Sequence, residues 1–291
     1  MARKLSVVAA VLGLLAGAPA WAQGSVSIVA AENFYGDVAR QIAGPDVKLT
    51  SILSNPDQDP HLFEASPSVA RDIADASIVV YNGADYDAWM AKLIGTSRQG
   101  SRHVIVVADL LGRKTGDNPH LWYDPVTMPA YARALAAVLS AADPAHRTGY
   151  DQRLQTFLAS LEPLDAKVAA LRGRFAGTAV TATEPVFGYM AAALGLVMRN
   201  ERFQLAVMND TEPRTSDIAA FEADLRMHRA RALFYNSQAT GPAAKRLLRI
   251  AQQAQVPVIG VTETEPAGKT YQAWMMGELE DVGRSLIGVS P

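Results

Sequence analysis

The chain has 291 residues, 27 Lys and Arg against 29 Asp and Glu, a formal net charge of −2, and no cysteine. That length accommodates one large domain or two medium ones. A faintly acidic balance without a basic block excludes nucleic acid as the expected partner, and a cysteine-free chain forms no disulfides.

Arg3 and Lys4 precede an uncharged apolar run over residues 5–18, and Ala20-Trp21-Ala22 then supplies a small-x-small pattern. Residues 1–22 are read as a secretory signal peptide cleaved after Ala22; the apolar run is shorter than the roughly 20 residues that span a bilayer. Without Arg3 and Lys4, 25 basic residues face 29 acidic ones, a net charge of −4. No cysteine is present to carry a lipid at the cleavage site, so the expected location is the periplasm, with no lipid anchor.

From residue 26 onward short β-like runs alternate with helical patterns. Strands are predicted over 26–31 and 47–53, with a helix over 34–43 between them. Ser66-Pro67 marks a helix start, a serine cap followed by proline at the first helical position, where its missing N–H does no harm; that helix runs to about residue 76. Strands follow over 78–81, ending at Asn82-Gly83, and over 103–107. Such alternation predicts a sheet covered by helices on both faces.

The middle of the chain differs. Tyr150, Leu154, Phe157, Leu161, Leu164, Val168 and Leu171 stand at alternating spacings of four and three, a sustained helical stripe. A helix over 144–175 would be roughly 45 Å long, more than one small lobe needs, and is read as a connecting backbone. Pro163 interrupts its hydrogen bonding, but the stripe continues in phase across it, which predicts a kink and not a break. Strands are then predicted over 178–181, 232–235 and 256–261, and helices over 186–194, 216–227, 242–254 and 271–287. The expected fold class is α/β: two α/β lobes with central sheets flanked by helices, over 23–143 and 176–291, joined by one long rigid helix over 144–175.

Five histidines can be weighed singly. His61, in Asp59-Pro60-His61-Leu62-Phe63-Glu64, sits where a loop after a strand can aim at a ligand, although a histidine so placed is more often a plain polar surface residue. His120 lies in Asn118-Pro119-His120-Leu121-Trp122-Tyr123-Asp124-Pro125, whose aromatic and proline neighbours suggest a rigid, partly dry loop; it is either a structural residue or a ligand. His103 opens a strand, His146 lies in the first turn of the long helix, and His228 ends a helix, where a partly positive ring suits the dipole. No Gly-x-Ser-x-Gly elbow, phosphate-binding Gly-rich loop or His-Glu-x-x-His helix occurs. His61 and Glu64 are three apart, but Pro60 and Pro67 flank them and favour a loop.

Asp59-Pro60-His61 with Glu64-Ala65-Ser66-Pro67 resembles the Pro-His…Glu-Pro-Ser-Pro signature of the metal-specific solute-binding proteins of ABC transporters, the zinc and manganese receptors of cluster A-I or cluster 9. Residues 118–125 resemble that family's His-x-Trp-x-Asp-Pro signature, and Phe187-Gly188-Tyr189 resembles its Phe-Gly-Tyr. The resemblance implies one metal ion held between two lobes. His61 and His120 would be ligands from the first lobe, and Glu184, three residues before Phe187, the third. The fourth, an aspartate in most of the family, falls on Glu263 after Val261-Thr262, with Glu265 the alternative. Taken without the resemblance, the glutamates read as solvated loop charges.

Two imidazoles and two carboxylates can hold a dication. Glutamate at the third position, and the absence of a histidine-rich loop between Val107 and His120, lean toward manganese, with zinc and iron(II) as alternatives. The implied partners are the metal ion and the transmembrane permease of an ABC transporter, with the chain a monomer that makes and breaks no bond and so is no enzyme. A secreted metalloenzyme of hydrolase type and a metal-dependent adhesin are the competing classes. Trp122, Tyr123 and Phe187 would wall the site or pack as ordinary core.

Overall fold

The structure, a computed structural model, describes residues 26–45, 47–55, 60–97, 102–209, 211–238 and 241–287, with only the backbone described at His61. The signal segment read over 1–22 lies outside the described residues.

The first half runs β1 (Ser27–Glu32), α1 (Asn33–Ala43), β2 (Lys48–Leu53), α2 (Pro67–Asp75), β3 (Ile78–Tyr81), α3 (Ala88–Thr96), β4 (His103–Val106), α4 (Val107–Leu110) and α5 (Thr127–Ala142). The long helix α6 (Arg147–Phe175) follows. The second half runs β5 (Ala179–Ala182), α7 (Gly188–Ala193), β6 (Val197–Arg199), α8 (Glu201–Met208), α9 (Thr215–Arg226), β7 (Leu233–Asn236), α10 (Pro242–Gln253), β8 (Val258–Val261) and α11 (Tyr271–Ile287). Among the described residues no helix is long and apolar enough to cross a membrane.

Each half holds a four-stranded parallel sheet, in the orders β2-β1-β3-β4 and β6-β5-β7-β8. The two orders are the same permutation, although the sequence shows no repeat. β3 explains itself: Ile78, Val79 and Val80 are all fully buried, the unbroken β-branched run of a central parallel strand covered on both faces. α2 starts as its sequence predicts, with Ser66 Oγ accepting from the Val69 N–H at 3.4 Å and Pro67 in the first turn.

The largest apolar cluster is continuous from one half into the other. It contains Ile28 and Val80 of the first sheet, Val180 and Phe234 of the second, and α1, α5, α6 and α11 between. α6 buries Tyr150, Phe157, Leu161, Leu164 and Leu171 of the predicted stripe, leaves Leu154 and Val168 half-buried, and continues through Pro163 without interruption. Two of its arginines cap other helices. Arg153 Nε and Nη2 donate to the Ile42 and Ala43 carbonyls at the end of α1, at 2.7 and 2.9 Å. Arg172 Nη1 donates to the Ala193 carbonyl at the end of α7, at 2.9 Å. A cation at a helix C-terminus satisfies carbonyls that have no partner in the helix itself.

The structure departs from the sequence reading at several elements. The long helix begins at Arg147, because Pro144–His146 forms a separate 3-10 turn. The helix predicted over 186–194 likewise opens with a 3-10 turn, Pro185–Phe187, before α7. α9 ends at Arg226, and His228 lies past it at φ +52°. α3, α4, α5, β6 and α8 have no counterpart in the sequence reading, and Val107, expected as the last residue of a strand, opens α4. α5 carries seven alanines in 16 residues, which blurs the apolar-polar contrast on which a periodicity reading depends.

Candidate functional site

In an open parallel sheet a crevice forms at the carboxyl ends of the strands where the strand order reverses. Here that point lies between β1 and β3 in one sheet and between β5 and β7 in the other. The chain places Glu32 and Asn82 at the first crevice, and Glu184 and Asn236 at the second. The loop following α4 adds His120, and the loop after β8 adds Glu263.

His120 is fully buried, with its ring fixed from one side. Asn118 Oδ1 lies 2.7 Å from His120 Nδ1 and accepts from the His120 backbone N–H at 3.1 Å. Asn118 Nδ2 donates to the Pro185 carbonyl at 2.8 Å, which sets the amide so that its oxygen faces the imidazole. In the neutral ring the proton therefore sits on Nδ1 and the lone pair on Nε2. His120 Nε2 is 3.5 Å from Glu263 Oε2. Tyr86 donates to that same oxygen at 3.0 Å.

The second-half carboxylates are joined by one amide. Asn236 Nδ2 donates to Glu184 Oε2 and, at 2.6 Å, to Glu263 Oε1. Its reach follows from strand order. Asn236 ends β7, which lies between β5 and β8; its N–H donates to Thr183 Oγ1 on one side, and its Cα pairs with Val261 on the other. Gln238 then fixes the Glu263 loop, accepting at Oε1 from the Glu263 and Thr264 N–H groups.

Glu184 and Glu263 are 4% and 0% exposed, so neither is the solvated loop charge that its sequence context alone suggests. Glu263 is the glutamate that faces His120, whereas Glu265 has its backbone clasped by Asn33, which donates to Glu265 O at 2.7 Å and accepts from Glu265 N at 3.0 Å. His61 lies in a 3-10 turn, Pro60–Leu62; its side chain is outside the described residues. Among the described residues no three His, Cys, Asp or Glu side chains form a group that could hold a metal ion. His120 and Glu263 approach each other in the crevice, and Glu184 is tied to Glu263 through Asn236, without the three forming such a group. His103 and His146 lie elsewhere, the first exposed at the start of β4 and the second paired with Asp143.

The two motifs of the sequence meet across the lobes. Tyr189 OH donates to the Asn118 carbonyl at 2.7 Å. A Cβ on Gly188 would stand 2.9 Å from Asn118 Nδ2, so glycine there makes room for the amide that orients His120. Phe187 stacks on Phe234 at 4.5 Å and meets Tyr123 edge-on at 5.3 Å. Trp122 packs against His120, Tyr86 and Phe34, with centroids at 5.3, 4.9 and 4.6 Å. Asn118, Asn236, Gln238 and Tyr86 are the site residues that sequence reasoning missed. Only Asn118 carried a signal, its place two residues before His120.

Buried acids surround this crevice. Burial raises the Glu32 carboxyl well above the usual range, and the neighbouring Asp87 raises it further. Asp87 is pushed up to about 6 by burial, against the pull of the Gly83 and Asn82 N–H groups that donate to it at 2.8 and 2.6 Å. That loop holds three successive left-handed residues, Gly83, Ala84 and Asp85, at φ +77°, +50° and +67°. The conformation costs the non-glycine pair about 1–3 kcal/mol each and delivers Tyr86 to Glu263.

Glu278 of α11 is pushed up to about 8 by burial, although Tyr123 and Trp274 hydrogen bonds pull it down. Tyr123 OH lies 2.8 Å from both Glu278 Oε1 and the Thr262 carbonyl, and Trp274 Nε1 donates to Glu278 Oε1 at 2.8 Å. The folded protein keeps this proton to about pH 8, while the unfolded chain sheds it near the ordinary value of 4.5. Between those values the unfolded state binds fewer protons, so stability falls as pH rises, by up to about 1.4 kcal/mol per pH unit. Glu278→Gln is expected to flatten that slope. Urea unfolding of both proteins at pH 5 and pH 8 measures it, and equal slopes would refute the assignment.

Similarity to known proteins follows the same outline. The chain is 25% identical to the metal ABC transporter substrate-binding lipoprotein SloC of Streptococcus mutans over 90% of each chain. Its fold is similar to that of the periplasmic zinc-binding protein TroA of Treponema pallidum, at TM-score 0.76 and 22% identity, covering 90% of this chain and 99% of that one. A manganese-bound periplasmic metal-binding protein of Candidatus Liberibacter asiaticus has TM-score 0.71 and 19% identity, covering 90% of this chain and 100% of that one. The family model described as zinc-uptake complex component A, periplasmic, matches residues 28–283, and the chain belongs to that family.

Proposed function

We propose that this chain is the periplasmic, metal-capturing subunit of an ABC uptake transporter, and that it holds one divalent transition-metal ion through His61, His120, Glu184 and Glu263 before passing it to a membrane permease. The observation that carries this reading is the approach of His120 Nε2 to Glu263 Oε2 across the lobes, with the ring tautomer set by Asn118. The donor chemistry suits the cargo: two carboxylates offset the charge of a dication, and two neutral imidazoles add borderline donors. The names of the relatives support it, since SloC is a transporter substrate-binding component, not an enzyme, and the solved neighbours are zinc-binding and manganese-bound.

SloC is named a lipoprotein, whereas this sequence has no cysteine to take a lipid. A periplasmic location, as in the names of the solved neighbours, is part of the proposal. The carboxylates lean toward manganese by donor type, with zinc and iron(II) as the competing cargoes. The test is elemental analysis of protein purified without added metal, followed by competition among the three ions. One equivalent of bound metal per chain is expected. A chain that takes up no stoichiometric metal from any of them would end the proposal.

A further inference from the structure

We propose that Glu32 is a positioning residue for the metal site: it carries a proton, donates it in a hydrogen bond to Asp87, and so holds the loop that brings Tyr86 to Glu263. The inference rests on the metal site proposed above and goes beyond it, because it names what supports one of that site's carboxylates from behind.

Glu32 ends β1 and Asp87 immediately precedes α3; both are fully buried. Their carboxyls lie within hydrogen-bonding reach of each other, but the two are not equivalent. Asp87 Oδ2 accepts from the Asn82 N–H at 2.6 Å and Oδ1 from the Gly83 N–H at 2.8 Å, and such bonds favour the ionised form. Neither oxygen of Glu32 has a donor to accept from among the described residues. The groups that face the pair are phenols, those of Tyr35 on α1, Tyr81 on β3, Tyr86 in the loop after β3 and Tyr131 on α5. Three of them are committed elsewhere: Tyr35 OH donates to Asn82 Oδ1 at 2.7 Å, Tyr131 OH to the Tyr35 carbonyl at 3.1 Å, and Tyr86 OH to Glu263 Oε2 at 3.0 Å. Two adjacent carboxylates in a dry space do not both ionise. One proton therefore belongs to the pair, and the bonding pattern puts it on Glu32, with Asp87 as the acceptor.

The link to the metal site runs through the chain itself. The N–H groups that Asp87 holds open the left-handed turn over residues 83–85, and the Tyr86 N–H closes it by donating to the Gly83 carbonyl at 3.1 Å. Tyr86 is the residue next to Asp87, so the place of that carboxylate sets where the phenol meets Glu263. An ionised Glu32 would push Asp87 away from the two N–H groups. An apolar residue in its place would leave Asp87 without its third bond.

The experiment uses the mature protein with Glu32→Gln, Glu32→Leu and Asp87→Asn, and zinc as the probe metal, with affinity measured by chelator competition. Infrared spectra at pH 7 report neutral carboxyls by their carbonyl band. Glu265 and Glu278 contribute bands of their own, so the reading is the band lost on substitution. Glu32→Gln should lose one such band and retain the wild-type affinity, because its amide N–H still donates to Asp87. Glu32→Leu should bind zinc about tenfold more weakly, the low end of what is lost when a residue behind a metal ligand is removed. Asp87→Asn, which turns an amide NH2 against one of the two N–H donors, should lose as much, and it replaces the leucine variant if that one does not fold. A Glu32→Gln spectrum that loses no acid band would overturn the inference, as would a glutamine variant as weak as the leucine or asparagine one. Wild-type affinity in a folded Glu32→Leu or Asp87→Asn would also overturn it, leaving the site standing. A wild type that takes up no zinc, manganese or iron(II) removes the site reading itself, and the positioning role with it.

Discussion

Replacing His120 with alanine is expected to lower metal affinity by at least about 100-fold, more than the 10- to 100-fold usually lost when a residue behind a ligand is removed. Of the two proposed ligand imidazoles it is the one whose side chain is described, and its Nε2 is pointed at Glu263 by the bond between Nδ1 and Asn118. A chelator competition titration measures the loss. Since His120 is buried, the melting curve of the metal-free variant must be recorded beside it, to separate a missing ligand from a damaged fold. An affinity within tenfold of wild type in a folded variant would remove His120 from the ligand set.

Trp122→Ala should be the most destabilising single truncation near the site, at about 3–5 kcal/mol. The indole is fully buried and touches Phe34, Tyr86, His120 and Tyr123. These come from the loop after β3, α1 and the His120 loop, so the void would lie under the crevice itself and would not be easily filled. For a chain of this size such a loss lowers the melting temperature by roughly 10 °C. Trp122→Phe should retain most of the stability. A melting temperature for Trp122→Ala within a degree or two of wild type would show that the ring is a replaceable wall.

What was legible in the sequence was local. Ser66-Pro67 announced α2 because the cap is a bond between residues three apart. The 4–3 spacing from Tyr150 to Leu171 announced α6 because one face of a helix must be apolar when it crosses a core. The loop histidine and glutamates stood out through their motifs. The burial of Glu184 and Glu263 was not readable, since it depends on loops 79 residues apart in sequence being laid side by side. Asn236 was invisible for the same reason. It falls just past the β-like run read over 232–235, and its importance comes from β7 being seated between β5 and β8, an order that no short window contains. α5 escaped because alanine is compatible with either face of a helix, and β6 because three residues ending in Arg199 carry too little pattern.

α6 deserves a mechanical reading. Arg153 pins one end to α1 and Arg172 pins the other to α7, the helices that follow the first strand of each sheet. A strut fastened to both bodies cannot act as a free hinge: turning one lobe against the other must flex the strut or pull out a pin. The flexing has a natural seat, since Pro163 supplies no N–H and leaves the Ala159 carbonyl without its helical partner. Opening of the crevice is thereby tied to the elasticity of one turn of helix, and its amplitude is that of a bent rod, not of a swinging door.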